Sequence, residues 1–198
     1  MTEILLRKQP LQARSKASFE AILEAAAQIL VGAGFAAFNT NTIAERAGVS
    51  VGTLYQYFPG KEAILAELVA RMRQQMLADL AEANRQSEGQ TLAEVAHLFI
   101  NASLRHHQRN PALAEALEQA ECGLALEDGS CEIKFQINDL IIAQLERFEV
   151  PDPQIAARDL SVMVQAMADA ATQAGETDFD ALAKRCGRAV KGYLRIAP

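Results

Sequence analysis

Apolar residues recur at steps of three and four along most of the chain, as they do on the buried face of amphipathic helices. Glycine and proline interrupt this period at Gly34, Gly48, Pro59-Gly60, Asn110-Pro111 and Pro151-Asp152-Pro153. Runs of β-branched residues are scarce, which disfavours strands. The pattern predicts an all-α fold of about nine helices, over residues 13–33, 41–47, 51–58, 61–85, 91–109, 111–122, 131–149, 153–174 and 178–195.

Domain boundaries are indicated by polar, glycine-bearing segments. The best candidate is Ser87-Glu88-Gly89-Gln90, between two helical patterns. We therefore expect an N-terminal domain over residues 1–60, a connecting helix over 61–86, and a second helical domain over 87–198.

Composition narrows the class of protein. Half of the 198 residues are hydrophobic and 22% are charged, as in a soluble globular protein. No apolar run approaches the roughly 18–20 residues of a membrane span, and the N-terminus lacks the features of a secretion signal. Three cysteines without framework spacing suit a reducing compartment, so we expect a cytoplasmic protein with no membrane partner.

The net charge of −6 is unevenly distributed. Residues 1–61 carry a net charge of +2, and the remainder carries −8. A mildly basic N-terminal segment followed by an acidic remainder is compatible with a small DNA-binding domain attached to a larger domain.

Residues 43–58, IAERAGVSVGTLYQYF, have the features of a helix-turn-helix. Gly48 supplies the left-handed residue that a tight turn between two helices requires. Val49 fills the angle between the helices, and Ser50 caps the second one, as Thr40 is expected to cap the first. Apolar residues Ile43, Leu54 and Phe58 form the inner face. This arrangement leaves a short, exposed second helix.

The exposed face of that second helix carries the residue types that read DNA. Thr53 and Gln56 suit base edges, Val51 suits a thymine methyl group, and the two tyrosines suit phosphates. Gly52 permits close backbone approach, and Lys61 adds a phosphate charge. The alternative is a plain helical hairpin with exposed tyrosines. The predicted DNA-binding residues are Thr40, Asn41, Thr42, Ser50, Val51, Gly52, Thr53, Tyr55, Gln56, Tyr57 and Lys61.

Two segments, FEAILEAAAQILVGAGF and IAERAGVSVGTLYQYFPGKEAIL, together resemble the N-terminal domain of the tetracycline-repressor (TetR) family of bacterial transcription regulators. The likeness covers about residues 15–68. It implies that the remainder is a helical ligand-binding and dimerisation domain. Thr42 stands where the family is frequently basic, and Gly60 stands where it usually has a serine or asparagine cap. The basic arm Arg7, Lys8, Arg14 and Lys16 either contacts phosphates or is a solvated tail.

Other candidate chemistry is weak, so we predict no catalytic residue, no cofactor and no metal site. Glu94-x-x-His97 lacks the second copy that a di-iron bundle site needs. The adjacent His106 and His107 suit a hydrogen bond or a helix-end charge better than a metal. The cysteines Cys122, Cys131 and Cys186 form no Cys-x-x-Cys pair. A redox-sensing role for the first two remains an alternative to idle thiols.

An effector pocket is expected between the helices of the second domain. Its predicted apolar lining is Phe99, Ile100, Leu104, Leu117, Ile137, Ile141, Met163 and Met167. Methionines suit an adaptable cavity, although residues with this spacing are more often plain core. Polar contacts are expected from Asn101, His107, Glu118 and Glu121.

The helix over 153–174 is apolar on more sides than a surface helix needs. We expect one side, through Leu160, Met163 and Met167, to pack inside the subunit and another to form a dimer. The predicted dimer residues are Val164, Ala168, Ala171, Cys186, Ala189, Val190 and Tyr193. The alternative is that this helix is simply central in its own subunit. Two-fold symmetry would place the recognition helices about 34–36 Å apart, one DNA turn.

The sequence therefore predicts a homodimeric transcriptional repressor that a small-molecule effector, largely apolar in character, releases from a palindromic duplex DNA operator. One alternative is a ligand-independent regulator whose C-terminal domain is a protein-interaction surface. Another is an enzyme on a helical bundle, which the missing catalytic set makes remote.

Overall fold

The computed structural model describes residues 12–122 and 131–196, and within those ranges the chain forms nine α-helices and no strand. The all-α prediction is confirmed. The helices are α1 (Ala13–Ala37), α2 (Thr40–Arg46), α3 (Val51–Tyr57), α4 (Lys61–Gln86), α5 (Leu92–Arg109), α6 (Pro111–Cys122), α7 (Cys131–Arg147), α8 (Pro153–Gln173) and α9 (Phe179–Tyr193).

Helix α1 extends beyond the predicted end at residue 33 because the chain resumes helical geometry after a kink. Gly34 has φ 71° and ψ 180°, a conformation that glycine adopts without a Cβ penalty. The kink therefore lies at the residue that was expected to end the helix. It brings Phe38 into the core, while Phe35 stays exposed.

Helix α1 is also long and apolar enough to cross a membrane by length and composition, with a mean hydropathy of 1.4 over its most apolar window. The apolar pattern of the sequence predicted no run of this length. The helix places Phe19, Ile22 and Ile29 in a buried protein core. The core helix of a globular protein passes the same test of length and composition. In this structure α1 is such a core helix.

The chain divides into two compact units. The first unit runs to Met72 and resumes at Ala112, so it contains α1, α2, α3, the first half of α4, and α6 from Ala112 onward. The second unit consists of Arg73–Pro111 and the chain from Cys131 onward. This division differs from the expected boundary near residue 87, because Leu117 and Ala120 of α6 pack into the core of the first unit.

The first unit is organised around aromatic side chains. Phe19 stacks on Phe58 with ring centroids 4.9 Å apart and meets Tyr57 edge-on at 5.7 Å. Arg71 of α4 donates to both carboxylate oxygens of Glu20 on α1, at 2.6 and 2.8 Å. The hydrogen bonds from Arg71 lower the pKa of Glu20 below its ordinary value. These contacts hold the long helices around α2 and α3.

The second unit packs α5 against α9 and α7 against α8, around a core rich in alanine and leucine. Asp79 of α4 is buried and accepts from Arg109 at 2.5 and 2.8 Å and from Arg105 at 3.3 Å. Burial acts to raise the pKa of Asp79, but the two arginines together outweigh it and leave that pKa below its ordinary value. This cluster fastens the second half of α4 to α5.

Candidate nucleic-acid interface and ligand cavity

The turn between α2 and α3 has the geometry that its sequence predicts. Gly48 has φ 66°, in the left-handed region, and its N–H donates to the carbonyl of Glu45 at 3.1 Å. Val49 is half-buried against the core of the first unit. Ser50 caps α3 by accepting from the N–H of Thr53 at 3.0 Å. The local signals therefore set the angle between the two helices.

Helix α2 is capped by Asn39 rather than by Thr40. The side-chain oxygen of Asn39 accepts from the N–H groups of Asn41 at 3.1 Å and Thr42 at 3.0 Å. Asparagine is as good a cap as serine, so the signal was present in the sequence. Thr40 instead pairs its hydroxyl with the phenol of Tyr55, 3.3 Å away on α3. The two helices are thus linked on their outer side.

The outer face of α3 is narrower than the sequence analysis predicted. Val51, Gly52, Tyr55 and Gln56 are exposed, and Thr53 is half-buried with its hydroxyl 2.8 Å from that of Ser50. The outward orientation expected for Tyr57 is wrong, because its side chain is only 6% exposed. Positions three residues apart share a helix face, so Tyr57 follows Leu54 into the core.

The remaining predicted DNA-binding residues surround this face. Asn41 is exposed, and Thr42 is half-buried. Lys61 is half-buried, with its Nζ 4.7 Å from the centroid of the Phe35 ring. In the basic arm, Arg7 and Lys8 lie outside the described residues. Arg14 and Lys16 are exposed at the start of α1.

The second unit contains an apolar cavity of about 150 Å³. Five predicted effector-pocket residues line it: Phe99, Ile100, Leu104, Ile137 and Ile141. The other three do not. Leu117 belongs to the core of the first unit, and Met163 and Met167 pack against the core of the second.

Several residues that line the cavity were not predicted from the sequence. Met76 and Val95 extend the apolar wall, and the polar side chains are Ser103, His107, Gln144, Ser161 and Gln165. Of the expected polar contacts, only His107 lines the cavity; Glu118 lies in the first unit, and the side chain of Glu121 is outside the described residues. Gln144 donates to the side-chain oxygen of Asn84 on α4 at 2.6 Å. A residue on the cavity wall is therefore bonded to the helix that both units share.

Four of the seven predicted dimer residues are buried within the single chain and so present no free surface there. Ala168, Ala171, Cys186 and Val190 belong to the core of the second unit, and both Val164 and Ala168 line its cavity. Ala189 is half-buried. Tyr193 is exposed and donates to Asp159 at 2.9 Å. The side of α8 that stays uncovered instead presents Ile155, 50% exposed, and Val162, 63% exposed.

Both residues of the Glu94-x-x-His97 motif have hydrogen-bond partners within their own helix or its cap. Glu94 accepts from the N–H of Thr91 at 2.8 Å in a capping box, and these bonds lower its pKa. His97 lies 3.0 Å from the amide of Asn101. Burial raises the pKa of the Cys186 thiol, which disfavours the reactive thiolate. The side chains of Cys122 and Cys131 lie outside the described residues.

Comparison with known proteins yields matches to both halves of the chain. Residues 22–68 match the family "Bacterial regulatory proteins, tetR family", and residues 91–194 match "Tetracyclin repressor-like, C-terminal domain". The HTH-type transcriptional repressor KstR of Rhodococcus jostii (strain RHA1) is 33% identical over 99 residues, which are 50% of this chain and 45% of that protein. The match thus spans less than half the length of this relative.

Solved structures share the whole fold. A putative tetR family transcription regulator from Shewanella sp. PV-4 is 26% identical with a TM-score of 0.67, over 87% of this chain and 95% of that one. A putative transcriptional regulator from Pseudomonas aeruginosa PAO1 is 20% identical with a TM-score of 0.73, over 94% of both chains. With two family domains in order on the matching fold, this chain belongs to the TetR family of bacterial transcription regulators.

Proposed function

We propose that the protein is a cytoplasmic transcriptional repressor that binds a palindromic operator as a homodimer and is released by a small-molecule effector. The observation that carries DNA binding is the exposed face of α3, held behind the left-handed turn at Gly48. A rigidly positioned short helix with an exposed polar face is what the major groove accepts.

Each side chain of this face has a chemical role in the proposal. Gln56 reads a base edge, and Val51 contacts a thymine methyl group. Tyr55 reaches a phosphate from a position fixed by its bond to Thr40. Lys61 supplies a phosphate charge. Tyr57 positions α3 from inside the core and makes no DNA contact.

The test is binding of wild type and variants to a duplex selected from a random pool. Gln56→Ala should relax base preference at one position by about 1–3 kcal/mol. Lys61→Ala should weaken all sequences alike and reduce the salt slope by about one unit. Gln119→Ala removes an exposed glutamine from α6 and is the control. Unchanged specificity in Gln56→Ala would contradict the assignment.

The cavity in the second unit supports release by a ligand. Its walls are mainly apolar with a few hydrogen-bonding groups, as in small-molecule sites. Cavities of about 150 Å³ in other proteins stay dry and accept benzene. The rival function, a ligand-independent regulator with a protein-interaction surface, is favoured by a fully packed second unit, which this chain does not have.

Toluene is a suitable probe for the cavity, because a ligand that binds the native state raises the melting temperature. Ala168 lines the cavity, so Ala168→Leu should abolish the increase that toluene causes. Ala143→Leu makes the same change at an exposed site on α7 and should leave it intact. An equal response in all three proteins would remove the support that the cavity gives to ligand release.

The dimer surface is proposed to be the uncovered side of α8. Ile155, Val162, Ala166 and Ala170 recur there at helical spacing and are exposed in the single chain. The two alanines permit close approach of a partner helix. Sedimentation should show that Val162→Arg yields monomers, while Gln136→Arg, the control on α7, stays dimeric. A dimeric Val162→Arg would contradict this surface.

A further inference from the structure

A second recess in the second unit is unlike the apolar cavity. It is a groove of about 780 Å³ between α5 and α9, within the size range of small-molecule sites. Its α9 side carries Lys184, Arg188 and Lys191, all exposed. Its floor is apolar and includes Ala96, Leu98 and Ala183.

The cations come from a locally basic segment in an acidic chain. Residues 181–198 contain five lysines and arginines and no acidic residue, against a net charge of −6 for the whole chain. Arg185 is engaged, because its guanidinium binds the carboxylate of Glu176 at 2.7 Å. Within the described residues, Lys184, Arg188 and Lys191 have no carboxylate partner.

The spacing of these three cations is unfavourable without a counter-ion. Lys184 and Arg188 are four residues apart and Lys191 follows three later, so they are neighbours on one helix face, where like charges destabilise the helix. The acidic side chain on the opposite wall, Glu94, is committed to capping α5 through Thr91. The groove lining therefore carries three positive charges against the single carboxylate of Glu94.

We infer that this groove is a second ligand site, distinct from the apolar cavity, and that it binds a small amphipathic anion. Lys184, Arg188 and Lys191 hold a carboxylate or phosphate head, with Arg188 able to bind two oxygens at once. The apolar floor receives the attached carbon chain. Gly187 lies between the cations, and a Cβ there would meet nothing within 4 Å, so the backbone leaves the groove open.

The test is calorimetric titration with octyl phosphate and octanoate, with octanol as the neutral probe. We expect one saturable site per chain for either anion, and the stronger of the two shows which head the groove prefers. Arg188→Gln should weaken binding about tenfold or more, the loss expected for a charge-assisted hydrogen bond. Arg195→Gln removes an exposed cation outside the groove and should retain affinity.

A variant that changes the shape of the groove but not its charge distinguishes specific anion binding from non-specific electrostatic attraction. Gly187→Leu keeps every charge and places a branched side chain between the cations, so it should obstruct the head-group position and strongly weaken anion binding. Gly192→Leu introduces the same side chain at another uncrowded glycine of α9, outside the groove, and should not. Ala168→Leu, which fills the apolar cavity, should leave anion binding unchanged, so failure of the cavity and failure of the groove are distinguishable.

Three results would overturn the inference. The first is the absence of saturable anion binding. The second is an equal effect of Arg188→Gln and Arg195→Gln, or binding that Gly187→Leu does not weaken, which would indicate only general electrostatic attraction. The third is a change of association state in Arg188→Gln, which would assign the groove to a second copy of the chain.

Discussion

The two units differ in how their cores are filled. The first unit buries Phe19, Phe38, Tyr57 and Phe58. The main core of the second is built largely from leucine and small alanines, and the unit retains a cavity. A core of stacked rings holds α3 in one position, whereas small side chains leave space that a ligand can fill. The comparison indicates that the first unit holds α3 rigidly, whereas the second unit can adapt its packing to a ligand.

The largest effect is expected from removing an aromatic side chain of the first unit. Phe58 is fully buried on Phe19, so Phe58→Ala should lower the free energy of unfolding by about 3–5 kcal/mol, measured by denaturant titration. Phe135→Ala deletes the same ring in the second unit, where it is 64% exposed, and should change stability by only about 0.5 kcal/mol. Similar losses in both variants would contradict the comparison.

The next largest effect is expected from a backbone change in the turn between α2 and α3. Gly48→Val places a β-branched residue at φ 66° and should cost about 1–3 kcal/mol and abolish operator binding. A Cβ at this position meets nothing within 4 Å, so the effect is conformational and not a clash. Asparagine tolerates the left-handed region, and Gly48→Asn should therefore bind. Normal operator affinity in the valine variant would contradict the left-handed turn.

A smaller effect is expected at the charged cluster of the second unit. Asp79→Asn should cost about 1–2 kcal/mol at pH 7, less than a fully buried pair because Arg105 and Arg109 are partly exposed. The native pKa of Asp79 lies below its unfolded value, so the contribution is complete above about pH 4 and is lost as pH falls through the native pKa.

Thermal unfolding of wild type and Asp79→Asn at a series of pH values tests whether the stabilisation by Asp79 is lost in acid. The stability difference between the two proteins should be constant near neutrality and shrink in acid. Asp139→Asn changes an exposed carboxylate on α7 and serves as the control. A difference that grows as pH falls would contradict the lowered pKa.

The smallest effects are expected at two glycines, one with a helical backbone and one with a positive φ. Gly187 has an ordinary helical backbone and open space around it, so Gly187→Ala should stabilise the second unit by about 0.5–1 kcal/mol. Gly34→Ala in the first unit should destabilise, because Gly34 has φ 71° at the kink of α1. Melting temperatures that shift in the same direction would contradict this difference between the units.

The sequence determined the elements that depend on neighbouring residues. The helices, the left-handed Gly48 and the Ser50 cap all follow from side chains within a few positions, since propensity and capping act locally. The TetR-family assignment follows for the same reason, because its motif lies on this locally specified turn. Even Asn39 had the local chemistry of a cap, although Thr40 was expected to provide it.

Only the tertiary structure decided which face of a helix is buried. Helix α8 is apolar on most sides, so the helical period cannot choose between them; packing against α7 and α9 buried Ala168 and left Val162 exposed. Tyr57 was drawn inward by the ring of Phe19, 38 residues away in the chain. The cavity and the groove arise where distant segments meet, and a sequence records those meetings only through patterns that several packings satisfy.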